Sequence, residues 1–147
     1  MDSERSGTGL RTVDSETRVP IDDELDILTA RQNARELATA LGFDAVRQTL
    51  IATAISELAR NILKYAGCGE IVLRSAARNG TSGVTVIATD EGPGIADLAL
   101  AMTDGFSTDH GLGLGLPGTK RLMDDFDLVS TVGSGTVVTT TMWARPA

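Results

Sequence analysis

The chain contains a single cysteine, Cys68, so no disulfide can form within it. A disulfide-stapled fold is excluded, and a reducing compartment is the expected setting. Aromatic residues make up only 3%, with one Trp and one Tyr, and the isolated Trp143 and Tyr65 form no stacking platform for nucleic-acid bases. Positive charge is also short: 13 Lys and Arg stand against 20 Asp and Glu, and the resulting −7 repels nucleic acid and anionic membranes on average. No apolar run approaches the ~20 residues that span a bilayer, and the polar start Met1-Asp2-Ser3-Glu4 opens no signal-peptide core. The expectation is a cytoplasmic protein with neither nucleic-acid nor membrane partners. What is present is ordinary for a globular domain, since 41% hydrophobic and 22% charged residues exclude a disordered chain. Glycine alone is in excess, with 16 residues clustered late in the chain.

Residues 1–18 are polar, mixed in charge and without periodicity, which predicts a disordered or flexible arm; residues 19–147 are expected to form one domain. Ala30, Ala34, Leu37 and Leu41 recur at helical spacing, and Gly42 stands where a helix-ending glycine belongs. Asp44 offers an N-cap for a longer helix to about Tyr65, carrying Val46, Leu50, Ala54, Leu58 and Ile62 on every fourth residue. Strands are expected over 70–78 and 83–89, joined by the turn residues Asn79-Gly80-Thr81-Ser82. A short helix over about 96–102 follows, and after the glycine cluster of 105–118 the chain continues as a helix over 119–125. Two closing strands, about 127–132 and 136–144, meet at Gly133-Ser134-Gly135. Strands that arrive as hairpins predict an α+β arrangement with helices layered on a mainly antiparallel sheet.

Gly113-Leu114-Gly115-Leu116-Pro117-Gly118 satisfies the dinucleotide fingerprint, and with Thr119-Lys120 it nearly spells a P-loop with its last two positions reversed. Neither motif fits, because each needs a buried strand running into the glycines, and Phe106 to His110 is polar loop. The physics survives. Glycines let backbone amides approach an anion, and Pro117 suits the first turn of a helix whose N-terminus favours phosphate. Taken alone, such a run is equally a flexible surface loop. On the long helix Glu57 and Asn61 share a face at i and i+4, with Lys64 one turn further along the same side. A carboxylate, an amide oxygen and an ammonium in that order suit a base, a Mg²⁺ ligand and a phosphate contact; a solvated face gives the same pattern. Asp90, at the mouth of the strand 84–89, is acceptor-only and suits the exocyclic amine of adenine while repelling the oxygen of guanine. Gly92 and Gly94 let the backbone bend round such a ring.

Together and in this order, these elements resemble the GHKL ATP-binding superfamily, which includes gyrase, Hsp90, histidine kinases and anti-sigma kinases. The matching residues are Glu57 and Asn61, then Asp90, Gly92 and Gly94, then Gly111 to Gly118, then Gly135-Thr136, so the resemblance spans about 26–145. Within that superfamily, Glu24-Leu25-Asp26-Ile27, Ala30-Arg31-Gln32, Ile55 to Ile62, Asp104 to Thr108 and Gly115 to Gly118 look like the serine/threonine switch kinases of bacterial stress-signalling modules. Lys64 looks more like the histidine-kinase form of the helix, and the N-terminal arm is longer than such a kinase needs.

The resemblance implies a Bergerat-type α+β two-layer sandwich, its mixed, mainly antiparallel sheet covered by helices on one face. ATP and Mg²⁺ are the implied cofactors. Asp90 holds adenine with Thr136 supporting it through water, and Asn61 ligates Mg²⁺. Gly111, Leu112, Gly113, Leu114, Gly115 and Gly118, with Lys64, hold the phosphates, and Glu57 accepts the proton of the attacking hydroxyl. The implied acceptor is a Ser or Thr of a STAS-domain antagonist, and a PPM-type serine phosphatase is the alternate partner. An anti-sigma kinase that binds a sigma factor is the alternative enzyme, and a nucleotide-dependent binding module without phosphotransfer is the alternative outside enzymes. The only histidine, His110, lies inside the glycine-rich lid, which speaks against an autokinase. Arg60 either touches phosphate or pairs with a nearby acid.

Overall fold

The computed structural model describes residues 16–95, 102 and 115–144. Most of the expected arm, the helix over about 96–102 apart from Met102, and the lid residues Gly111 to Leu114 with His110 lie outside these residues. Strand β1, Glu16–Ile21, leads into helix α1, Glu24–Ala40, and helix α2, Ala45–Tyr65. Strands β2, Gly69–Arg78, and β3, Thr81–Asp90, form a hairpin. Helix α3, Gly115–Leu122, precedes strands β4, Asp125–Thr131, and β5, Gly135–Trp143.

The ends of α1 and α2 follow from local chemistry. Asp23 accepts the Leu25 and Asp26 amides while the Asp26 side chain reaches back to the cap, a reciprocal capping box. At the other end Gly42, at φ +84, sends its N–H to Thr39 O, and Phe43 N–H reaches Ala38 O. That is a Schellman ending, and the left-handed residue it requires is the glycine. Asp44 caps α2 through the Arg47 amide at 2.7 Å. Its carboxyl lies below the usual range, chiefly because of that amide and then because of the Arg47 guanidinium.

The sheet runs in the order β1-β2-β3-β5-β4 with every described neighbour antiparallel. Its register separates the two faces. Val19 and Ile21, Ile71 and Leu73, Val84, Val86 and Ala88, and Val138 and Met142 all point one way and join a single core with residues of α1 and α2. The helices therefore cover one face. From α1 come Ile27, Ala30, Ala34 and Ala38, and from α2 come Ile51, Ala54, Ile55, Leu58, Ala59 and Ile62. Each fully buried Ile or Leu adds about 1.5–3 kcal/mol. The opposite face carries Arg18, Glu70, Arg74 and Thr85, and ion pairs tie Arg18 to Glu70 at 3.0 Å and Arg74 to Glu16 at 2.9 Å.

Several boundaries differ from the sequence expectation, among them the following. Glu16, Thr17 and Arg18, read as the end of the arm, begin β1 by pairing with Arg74, Leu73 and Val72. Helix α3 starts at Gly115, with Pro117 in its first turn as expected, but ends at Leu122 and not at 125, because Asp124 N–H binds Thr141 O and draws the chain into β4. Strand β4 accordingly begins at Asp125, two residues before the expected start.

Candidate functional site

The C-terminal half of α2 presents Glu57, Asn61 and Lys64 along one side, as the i, i+4, i+7 spacing requires. Glu57 is only 8% exposed, an unusual position for a carboxylate. Arg60 Nη1 donates to Glu57 Oε2 at 2.9 Å, so of the two roles considered for Arg60 the structure displays the acid pair. Asn61 is half-buried. Lys64 is exposed, and its ammonium lies 4.9 Å from the centre of the Tyr65 ring.

At one end of the sheet the register lines up Gly69, Asp90, Thr136 and Ser130 across β2, β3, β5 and β4. The row lies two residues beyond Ile71, Ala88, Val138 and Leu128, so it shares their helix-covered face. Gly69 leaves room for α2: a Cβ there would sit 2.8 Å from Ile62 Cγ2. Asp90 Oδ1 accepts the Gly92 N–H at 2.9 Å, closing a turn that fixes the orientation of the carboxylate. Gly92 itself passes beneath the end of α2, where a Cβ would lie 2.7 Å from that of Ala66.

The loop after β3 is fastened to the β4–β5 hairpin. Gly133 N–H donates to Pro93 O at 2.9 Å, and Ile95 N–H donates to Ser130 Oγ at 2.7 Å. Ser130 Oγ also lies 2.8 Å from Thr136 Oγ1 and donates to Gly135 O at 3.2 Å. Gly135, at φ +126, runs so close to Asp90 O and Glu91 that no side chain fits there. The sequence reading missed Ser130. The available signal was its parity with Phe126 and Leu128, which makes it a polar residue at an inward-facing strand position.

Helix α3 packs against α2, burying Pro117, Gly118 and Thr119. Thr119 Oγ1 binds Gly115 O at 2.9 Å within its first turn. The structure thus brings Asp90, Gly92, Gly94 and Thr136 together at one sheet end, sets Glu57, Asn61 and Lys64 along α2, and packs Gly115 and Gly118 on α3 against that helix.

A hairpin-rich sheet covered on one face, a buried carboxylate one turn before an asparagine, and an acceptor row at the sheet end define an ATP-binding domain of the GHKL class. The chain belongs to the histidine kinase-, DNA gyrase B- and HSP90-like ATPase family, whose profile matches residues 46–146. It is 54% identical over 127 residues to the serine/threonine-protein kinase RsbT of Bacillus subtilis (strain 168), a match covering 86% of this chain and 96% of that protein. A solved structure of the RsbU and RsbW domains of a Mycobacterium tuberculosis protein superposes with a TM-score of 0.60 at 23% identity. That match covers 90% of this chain and 34% of the other, and it shows the shared fold. The protein is a GHKL-type, ATP-dependent serine/threonine-protein kinase. Among the described residues no helix is long and apolar enough to cross a membrane.

Proposed function

We propose that the protein is the switch kinase of a bacterial partner-switching stress module, acting in the cytoplasm. It transfers the γ-phosphate of ATP to a Ser or Thr of a STAS-domain antagonist, and alternately binds and activates a PPM-type phosphatase. The observation that carries the reading is Glu57, a nearly buried carboxylate on α2 one turn before Asn61. A nearly buried carboxylate at that position speaks against a module that only binds nucleotide.

The donor set fits Mg²⁺-ATP. Asp90 accepts from the adenine amine, and Thr136 supports it through a water. Among the described residues no three His, Cys, Asp or Glu side chains cluster, so a divalent ion would rely on the Asn61 amide oxygen, waters and phosphate oxygens. Mg²⁺ usually takes such a mixed shell and would neutralise developing phosphate charge. Gly111 to Leu114, with the Gly115 and Gly118 backbone at the start of α3, hold the phosphates, and Lys64 adds positive charge on the facing helix.

In the transfer step the acceptor hydroxyl oxygen forms a bond to the γ-phosphorus as the bond to the β–γ bridging oxygen breaks. ADP carries away that electron pair, and the hydroxyl proton passes to Glu57. Arg60 holds Glu57 Oε2 and orients the carboxylate before the acceptor arrives. Catalysis rests on this positioning and on charge stabilisation.

The test is a transfer assay with radiolabelled ATP and Mg²⁺ against a panel of STAS-domain and sigma-factor partners. Label on a Ser or Thr of a STAS protein, lost with Glu57→Gln, is the expected result. ATP binding without label on any partner would overturn the phosphotransfer assignment. Retention of a sigma factor, with no STAS protein labelled, would reassign the protein to the anti-sigma kinases.

A further inference from the structure

Ser130 sits beyond the residues that the nucleotide reading uses, yet it touches two of the segments that build the base end of the site. Its hydroxyl has one hydrogen to give and two lone pairs to fill. The Ile95 N–H can only donate, and it fills one lone pair at 2.7 Å. The Gly135 carbonyl can only accept, and it takes the Ser130 hydrogen at 3.2 Å. The remaining contact, 2.8 Å to Thr136 Oγ1, allows either oxygen to donate, and the assignment that keeps the Gly135 bond has Thr136 donating into the second lone pair of Ser130. In this arrangement every partner of Ser130 is satisfied, and the only hydrogen of the Thr136 hydroxyl is committed to β4.

This has a consequence one strand over. Thr136 is the direct cross-strand partner of Asp90, on the same face. Asp90 is acceptor-only, and with its hydrogen turned away Thr136 also offers only lone pairs. We propose that Ser130 is a specificity-determining positioning residue: it turns the Thr136 hydroxyl away from the base, leaving two adjacent acceptors that favour a 6-amino over a 6-oxo purine ring. The inference rests on the reading of Asp90 and Thr136 as the base contacts. A ring amine, directly or through the water between them, supplies hydrogens to both acceptors. A ring carbonyl replaces those hydrogens with further lone pairs, leaving acceptor against acceptor, which costs more than a merely absent bond.

The experiment compares affinity for ATP and for inosine triphosphate, which exchanges the 6-amino group for a 6-oxo group and leaves sugar and phosphates unchanged. Wild type, Ser130→Ala, Ser130→Thr, Thr136→Val and the double variant Ser130→Ala/Thr136→Val are measured by calorimetry, with melting curves confirming that each is folded. Ser130→Ala frees the Thr136 hydrogen to donate to a ring carbonyl. The preference for ATP over inosine triphosphate is expected to fall by about fivefold, the size of one neutral hydrogen bond. Ser130→Thr restores the hydroxyl and with it the preference. In the Thr136→Val background, Ser130→Ala changes the ratio no further.

If Ser130 served only to anchor the loop at Ile95, its loss would weaken both nucleotides in proportion and leave their ratio unchanged; that outcome overturns the proposal. A Ser130 effect that persists without the Thr136 hydroxyl overturns it as well. Failure of the wild type to bind ATP at all would instead remove the underlying nucleotide assignment, so the two failures are told apart in the same experiment.

Discussion

In the turn after β3 the Gly92 amide already claims one oxygen of Asp90. That bond fixes what an isosteric change would do. In Asp90→Asn the carbonyl oxygen is the only atom able to accept from Gly92, so the new NH₂ is what faces a ligand. The turn survives while an acceptor becomes a donor. ATP affinity is expected to fall by about tenfold or more, with little change in melting temperature. Isothermal calorimetry beside a melting curve checks both halves, and unchanged affinity would remove the adenine contact from Asp90.

Glu57→Gln separates transfer from binding in the same way. The side chain keeps its volume and its place on α2 but can no longer take up a proton. Phosphotransfer is expected to drop by about 10²–10⁴-fold while ATP still binds. Single-turnover transfer measured alongside nucleotide affinity gives the comparison. Asp44 shows the opposite case, a carboxylate whose effect is on stability alone. Its folded-state pKa is lowered, so its contribution is fully present above the ordinary carboxylate range and is lost as pH falls through the lowered value. Asp44→Asn should therefore melt lower than wild type at neutral pH, and the gap should close in strong acid, as a series of melting curves against pH will register.

At the scale of elements, the helices were legible because their signals are local. Asp44 at the N-cap and Gly42 at the C-terminal bend lie within a few residues of what they terminate, and the sequence carries both. Strand β1 was not legible for the opposite reason. Its six residues contain two inward apolar side chains, Val19 and Ile21, and Pro20 weakens any strand reading. What makes it a strand is pairing with Glu70 to Arg74, fifty or more residues away, together with cross-strand ion pairs. The end of α3 was misjudged because the Thr141 carbonyl that draws Asp124 into β4 comes from a strand still to follow. Ser130 was overlooked since its partners come from a loop and a neighbouring strand that only the β3-β5-β4 order brings together. The shared side of α2 that carries Glu57 and Asn61, and the strand end that carries Asp90, could by contrast be read from spacing and motif, which survive without any tertiary information.

The hairpin between β4 and β5 deserves a test as an element. Gly135 is left-handed in φ and packs its Cα side onto Asp90 O, with a Cβ placed 2.8 Å from Glu91 Cα. Backbone on backbone cannot yield as a flexible side chain would. Gly135→Ala is expected to cost about 1–3 kcal/mol in urea unfolding and also to weaken ATP binding, because relief of the clash must shift Asp90. Gly133→Ala provides the comparison: it has the same sign of φ but open space around it, so it should cost less and leave binding unchanged.

For the whole molecule, the glycine excess and the acidic charge belong to one arrangement. Glycines at 69, 92, 94 and 135 are the points where α2 and the two hairpins close on each other at one end of the sheet, and side chains would hold them apart. The −7 net charge opposes approach of a polyanionic nucleotide, so on the proposed reading attraction is local, from Mg²⁺, Lys64 and the first turn of α3. The proposed contacts come from α2, β3, β5 and α3, which share one core, so a ligand that binds them ties down the whole domain. Saturation with Mg²⁺-ATP at about 100 times its Kd should stabilise the fold by about 2.7 kcal/mol. For a domain of this length that raises the melting temperature by roughly 5–10 °C. Glu57→Gln should keep the shift and Asp90→Asn should lose about half of it or more at the same nucleotide concentration. A shift that Asp90→Asn retains in full would mean that the nucleotide binds elsewhere on the molecule, and differential scanning fluorimetry with all three proteins side by side is enough to decide.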